Sequence, residues 1–301
     1  MMPSSQAHTD EQATLSREHA SSRHADELRR GDRFGFGDNW RRFLQLLDED
    51  RIREAERSVR ELLGVSDLVG RSFVDAGSGS GLFSLAARRL GARVHSFDFD
   101  PASVWCTTEL RRRYFPDDPT WRIHEASVLD GAYIRSLGTF DVVYSWGVLH
   151  HTGAMWTALE QVARLVRQDG LLAVAIYNDQ GNWSRRWRRV KQLYCSGPVG
   201  RTVVSATCIP LFVARGLLSD VVARRSPLAR YREYRQNRGM SIVRDWVDWL
   251  GGYPFEVAKP KAVFEFFRER GFELRRLTTC GGTLGCNEFV FERRTRPECA
   301  A

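Results

Sequence analysis

FVDAGSGSG, from Phe73 to Gly81, decides the fold. An apolar run ends in an acid, three alternate glycines follow, and LFSLAARRL then has the spacing of an amphipathic helix. Glycine is needed where backbone must take up positive φ or come within contact of a ligand. The segment is therefore a strand, a tight loop and the start of a helix.

The alternation continues on the carboxyl side. Strand-like runs at 93–97, 121–126, 141–145 and 171–176 are separated by amphipathic stretches at 101–114 and 154–166. Strand and helix in turn imply right-handed crossovers in a parallel sheet covered on both faces. A helix over 259–271 and two β-rich runs, 272–279 and 287–292, complete the pattern. The fold class is α/β: a Rossmann-like, doubly wound, mostly parallel seven-stranded sheet with an antiparallel last strand and a helical cap insertion.

Along the chain, residues 1–30 form a disordered tail, and 31–181 hold N-terminal helices and the cofactor-binding core. Residues 182–253 are the cap, 254–293 the rest of the sheet and 294–301 a second tail. Asp98 ends the second strand, placed to accept hydrogen bonds from ribose hydroxyls. A dinucleotide would satisfy the glycines and Asp98 equally, but Asp75 would repel a pyrophosphate. S-adenosylmethionine carries an ammonium and a sulfonium, which an acid favours. In SVLD, Ser127 to Asp130, the amides of Val128 and Leu129 are expected to bond a ring nitrogen and Asp130 the adenine amino group. Asp130 is equally placed to cap the next helix.

These residues resemble the class I S-adenosylmethionine-dependent methyltransferases, particularly the small-molecule branch of ubiquinone and menaquinone biosynthesis. The likeness rests on DAGSGSG, on HSFDFDP (His95 to Pro101), on FDVVYSWGVLHHTG (Phe140 to Gly153) and on LVRQDGLLAVAIY (Leu165 to Tyr177). It implies that Asp75, Gly77 and Gly79 line the methionine part, that Asp98 holds the ribose, and that Phe99 flanks an adenine bonded by Asp130, with Ser78 and Ser145 also among the expected cofactor-binding residues. Ser78 stands where many relatives carry cysteine. The cofactor is S-adenosyl-L-methionine.

Methyl transfer from a sulfonium needs a nucleophile held in line and deprotonated. His151, and less strongly His150, are the candidate bases after the fourth strand, with a helix cap or packing under the sheet as the alternative. Trp40, Trp146, Tyr177 and Asn178 are expected to bind the acceptor, joined by Phe36 and Asn39. Trp246 and Trp249 are expected to pack the cap, while one of Asp245, Asp248 and Glu256 bonds an acceptor hydroxyl or amine.

The net charge is +8, with only three lysines among 45 basic residues. An arginine bias spread along the chain points to codon usage more than to a phosphate-binding surface. The cysteines lack zinc-knuckle spacing, so neither a metal nor a disulfide framework is expected. The longest apolar run, thirteen residues between Arg201 and Arg215, falls short of a bilayer span. The expectation is a cytoplasmic methyltransferase acting on an oxygen or nitrogen of a small molecule. An RNA acceptor, suggested by SRRWRRVKQ (Ser184 to Gln192), and a non-catalytic regulator that binds S-adenosylmethionine are the alternatives.

Overall fold

The computed structural model of the chain describes residues 22–224, 226 and 242–294, without the side chains of 242–245. In chain order the elements are α1 (22–30), α2 (Phe36–Leu44), α3 (Glu49–Leu63), β1 (Ser72–Ala76), α4 (Leu82–Arg89) and β2 (Arg93–Asp98). Next come α5 (Pro101–Tyr114), β3 (Trp121–Glu125), α6 (Gly131–Ser136), β4 (Phe140–Trp146), a 3-10 turn (Leu149–His151), α7 (Met155–Arg164) and β5 (Val166–Tyr177). The chain closes with α8 (Asn182–Cys195), α9 (Pro198–Val222), α10 (Ile242–Gly251), α11 (Pro260–Arg268), β6 (Phe272–Thr278) and β7 (Cys286–Arg293).

The sheet runs β3-β2-β1-β4-β5-β7-β6. Neighbours are parallel from β3 through β5, and β7 is antiparallel to both β5 and β6. The last strand in sequence is thus the antiparallel one. It lies between β5 and β6, so the edge is β6 and not β7. The chain steps outward from β1 to β3, then returns to the other side of β1 as β4. That reversal leaves a crevice at the carboxyl ends of β1 and β4, where open α/β sheets bind ligands.

Side chains alternate across the strands, and each face carries its own core. Phe73, Val142 and Tyr144 pack beneath α3, α4 and α5, while Val74, Val143 and Phe291 pack beneath α7 and α11. A third cluster, with Phe34, Tyr194, Val204 and Leu250 buried, joins α8, α9 and α10 to the chain before α2.

Three expectations are corrected here. The tail does not extend to residue 30: α1 occupies 22–30 and buries His24, while residues 1–21 and 295–301 lie outside the described residues. Strand β5 starts at Val166 rather than 171, because Val166 pairs with Phe140 and Asp169 takes φ 59° before Gly170. Third, an apolar run counted between arginines underestimates α9. Arginine propagates a helix well, so α9 continues past Arg201, Pro210 and Arg215 to 25 residues. Among the described residues it is the one helix long and apolar enough to cross a membrane, and most of its residues are exposed or half-buried.

Candidate active site

Above the β1/β4 crevice lies a cavity of about 890 Å³. Its floor is the glycine loop. Gly77 (φ 89°) and Gly79 (φ 53°) both sit in the left-handed region. A Cβ on Gly77 would lie 2.3 Å from a Val148 methyl, and one on Gly79 would lie 3.0 Å from the Trp40 indole nitrogen. Glycine is therefore required there both by conformation and by close approach.

Three acids meet beside this loop. Asp75, at the end of β1, is 2% exposed and accepts from the Ser84 hydroxyl at 2.6 Å. Burial pushes its carboxyl up to about 7, against the pull of Ser84 and helped by the neighbouring Asp98 charge. Asp98 accepts from the Gly79 amide (2.8 Å) and the Asp100 amide (2.9 Å), and burial, then the Asp100 charge, raise it also to about 7. Asp100 caps α5 through the Ala102 amide at 2.8 Å and accepts from the Gly37 amide at 2.7 Å. The last bond fastens α2 over the cavity. Buried carboxylates without a nearby cation are costly.

The cavity wall around Phe99 is largely apolar. Phe99, Val128, Leu129 and Ser127 line it. Arg33 lies 5.0 Å from the Phe99 ring centroid, and the buried His24 meets the same ring edge-on at 5.3 Å. Arg33 is held by Glu27 (2.6 Å) and donates to the His151 carbonyl (3.0 Å). Sequence reasoning missed His24 and Arg33, since the ring they share, Phe99, is far from both along the chain. It also passed over Asp100, though Asp-Pro opening a helix is a capping signal.

At the other end are the aromatic residues. Phe36, Trp40, Phe83, Tyr144, Trp146 and Tyr177 line the cavity from the core, and Trp187, Phe212, Trp246 and Trp249 from the cap. The Trp146 indole donates to Glu288 at 3.2 Å. Asp248 also faces the cavity and bonds Asn39 at 2.9 Å.

His151 lines the cavity and is 6% exposed. Its Nδ1 lies 2.7 Å from the Pro254 carbonyl, which can only accept, so Nδ1 carries the proton and Nε2 the lone pair. Burial, then the Lys191 charge, holds the imidazolium pKa down to about 3. The ring is neutral across the physiological range. Lys191 itself is fully buried. Its ammonium donates to the Trp249 carbonyl and lies 4.2 Å from the Trp249 ring centroid and 4.8 Å from that of Phe255. Burial lowers its pKa to about 7.

Several expected site residues do not line the cavity. His150 follows the same turn but points into β5, fully buried, with the Tyr177 amide 3.4 Å from Nδ1. Asp130 caps α6, accepting from the Ala132 and Tyr133 amides at 3.0 and 3.1 Å. Ser145 donates across the sheet to the Ala76 carbonyl at 2.7 Å. Asn178 accepts from Asn287 at 3.2 Å, tying the end of β5 to the start of β7. Glu256 accepts from the Met155 amide at 3.0 Å, at the start of α7. The Asp245 side chain lies outside the described residues. Gly77, Ser78, Gly79, Asp75, Asp98, Phe99, Val128, Leu129, Trp40, Trp146, Tyr177 and His151 do line the cavity.

Residues 74–172, which hold the acid-and-glycine floor and the strands around it, match the family described as a methyltransferase domain. This segment is a methyltransferase domain. The ribosomal protein L11 methyltransferase of Alteromonas mediterranea is 30% identical over 133 residues, covering 40% of this chain and 45% of that protein. The tRNA U34 carboxymethyltransferase of Klebsiella pneumoniae is 31% identical over 110 residues, 35% of this chain and 31% of that protein. The chain thus spans less than half the length of these curated relatives. Among solved structures, magnesium protoporphyrin IX methyltransferase from Synechocystis PCC 6803, with bound SAH, superposes with a TM-score of 0.50 at 14% identity, covering 85% of this chain and 93% of that one. PKMT2 from Rickettsia typhi, in complex with AdoHcy, gives 0.52 at 13%, covering 81% and 53%. At those identities the likeness shows a shared fold: the methyltransferase domain with its seven-stranded sheet and helices on both faces.

Proposed function

We propose that the chain is a methyltransferase that moves the methyl group of S-adenosylmethionine onto an oxygen or nitrogen of a small-molecule acceptor. The observation that carries this reading is the pair of acids, the buried Asp75 and the half-buried Asp98, beside the glycine loop of a methyltransferase domain. A cation there offsets their burial, as the ammonium and sulfonium of the cofactor would. Asp98 would also accept from the ribose, and Phe99 with Val128 and Leu129 would enclose the adenine. The neighbours crystallised with SAH and AdoHcy are consistent with that cofactor.

The aromatic end would take the acceptor. Its walls from α8, α9 and α10 suit a compact apolar body better than a nucleic-acid strand, and the exposed arginines of α8 face away from it. His151 offers Nε2 as a hydrogen-bond acceptor for a hydroxyl or amine and so orients the nucleophile. An imidazole with a pKa near 3 is a weak base, and most of the rate would come from proximity. The quinone-branch likeness rests on the four sequence motifs, and the reaction is assigned to the cytoplasm.

Incubation with methyl-labelled S-adenosylmethionine, followed by mass spectrometry of separated small-molecule and RNA pools, tests the reading. Label in a small molecule supports it. Label in RNA alone, or cofactor binding with no labelled product, overturns it.

A further inference from the structure

Helix α9 has two faces of different character. Val204, Cys208, Ile209 and Phe212 hold one face against α8 and α10, and Phe212, Gly216 and the buried Asp220 look into the cavity. The opposite arc carries Val199, Val203, Leu211, Leu218 and Val221, with Leu211 62%, Leu218 65% and Val221 68% exposed. No charged residue stands on that arc; Arg201 lies over the Tyr194 ring of α8, and Arg215 lines the cavity. So large an exposed apolar strip marks an interaction surface.

Charge indicates what covers it. Between Asn182 and Arg224 there are seven arginines, all exposed, and the single acid of the segment, Asp220, is buried. An apolar arc on a segment whose arginines are all exposed matches an anionic bilayer surface, whose headgroups take guanidinium groups while the acyl boundary takes the leucines and valines. The helix is long enough to span a bilayer, but spanning would strip its inner face from the cavity and expose Asp220 to hydrocarbon. A helix lying in the interface keeps both sets of contacts.

We propose that the outer face of α9 docks the protein on anionic membrane, and that the cavity, one wall of which is the same helix, takes a lipophilic acceptor from the bilayer. The acceptor class rests on the methyl-transfer reading, whereas the docking does not. Flotation with vesicles tests the docking without any activity readout. The full chain should float with vesicles of equal parts phosphatidylglycerol and phosphatidylcholine, less with phosphatidylcholine alone, and less at high salt. Leu211→Glu with Leu218→Glu should lower partition about tenfold or more, and Leu218→Gln should lower it by less. Val69→Glu, an equally exposed apolar site elsewhere, should leave it unchanged. Retained SAH binding by each variant shows that it is folded. The proposal is overturned if the wild type floats with neither vesicle, or if the double variant floats as well as the wild type. It is also overturned if the double substitution merely turns a lipid-independent dimer into monomers, which would give the face to a second copy of the chain.

Discussion

The floor of the cavity and its cap are built in opposite ways. From Phe73 to His151 the site is made by backbone at strand ends. Its polar side chains bond amides at fixed distances, and a Cβ on Gly77 or Gly81 would clash. The described helices of the cap, α8, α9 and α10, have a small buried cluster of their own and touch the cavity largely through rings. Shape defined by backbone hydrogen bonds suits a fixed cofactor. Ring-lined walls, held mainly by packing, suit an acceptor that differs from one enzyme to the next.

Substitutions should separate the two regions. The largest effect falls on the floor: Asp98→Ala should weaken cofactor binding by about 1.5 to 3 kcal/mol, the scale of lost charge-assisted hydrogen bonds. Calorimetry with SAH measures it, and an unchanged affinity would place the cofactor elsewhere.

Next in size is His151→Ala, expected to lose roughly tenfold in turnover, less than the roughly 10²-fold or more of a full general base, while cofactor affinity is kept. Because the imidazole is already neutral, the pH profiles of variant and wild type should run parallel from pH 5 to 9. A limb near pH 6.5 that disappears in the variant would show a base titrating in its ordinary range. His150→Ala should instead lower stability by about 2 to 4 kcal/mol, as a cavity left behind β5 would, with turnover per folded molecule little changed.

The smallest effect falls on the cap. Phe212→Ala should raise the acceptor KM severalfold with the cofactor Kd within about twofold, since only part of one ring wall is lost. An equal loss of cofactor affinity would mean that cap and floor form one cooperative site.

The floor was legible in the sequence because its determinants are local: an acid and three glycines within seven residues, then an acid at the next strand end. What failed were side-chain directions. Ser145 sits between Tyr144 and Trp146, and strand alternation sends it away from the cavity those two line. His150 and His151 are adjacent in a 3-10 turn, so only one can face the site. Asp130 had two roles available, and the two amides of α6 occupy its carboxylate. His24 and Arg33 lie on a segment with little apolar pattern, and their value comes from contacts with Phe99 that only the fold creates. The cap was recognisable as helical and Arg-rich, yet the extent of α9 was hidden by the arginines within it.

The acids also make the empty cavity sensitive to pH. A carboxyl raised to about 7 in the folded chain, from an ordinary value of 3.8, binds its proton more tightly folded than unfolded. Its stabilising contribution is full below pH 3.8 and is lost as pH rises through 7. In the absence of cofactor, Asp75→Asn should therefore gain on the wild type as pH rises from 4 to 7, by more than about 1 kcal/mol, and the gap should level off above that.

The central claim is that Asp75 and Asp98 receive the cationic part of S-adenosylmethionine. A cation between them lowers both pKa values, so binding must expel protons wherever the empty site still holds them. Titration calorimetry at pH 6.5, in buffers of different ionisation enthalpy, measures this directly. The account predicts net proton release on binding S-adenosylmethionine, an affinity that rises from pH 5.5 to about 7 and then flattens, and no comparable binding of NAD. Proton-neutral binding with a flat affinity, or tighter binding of NAD, would contradict it.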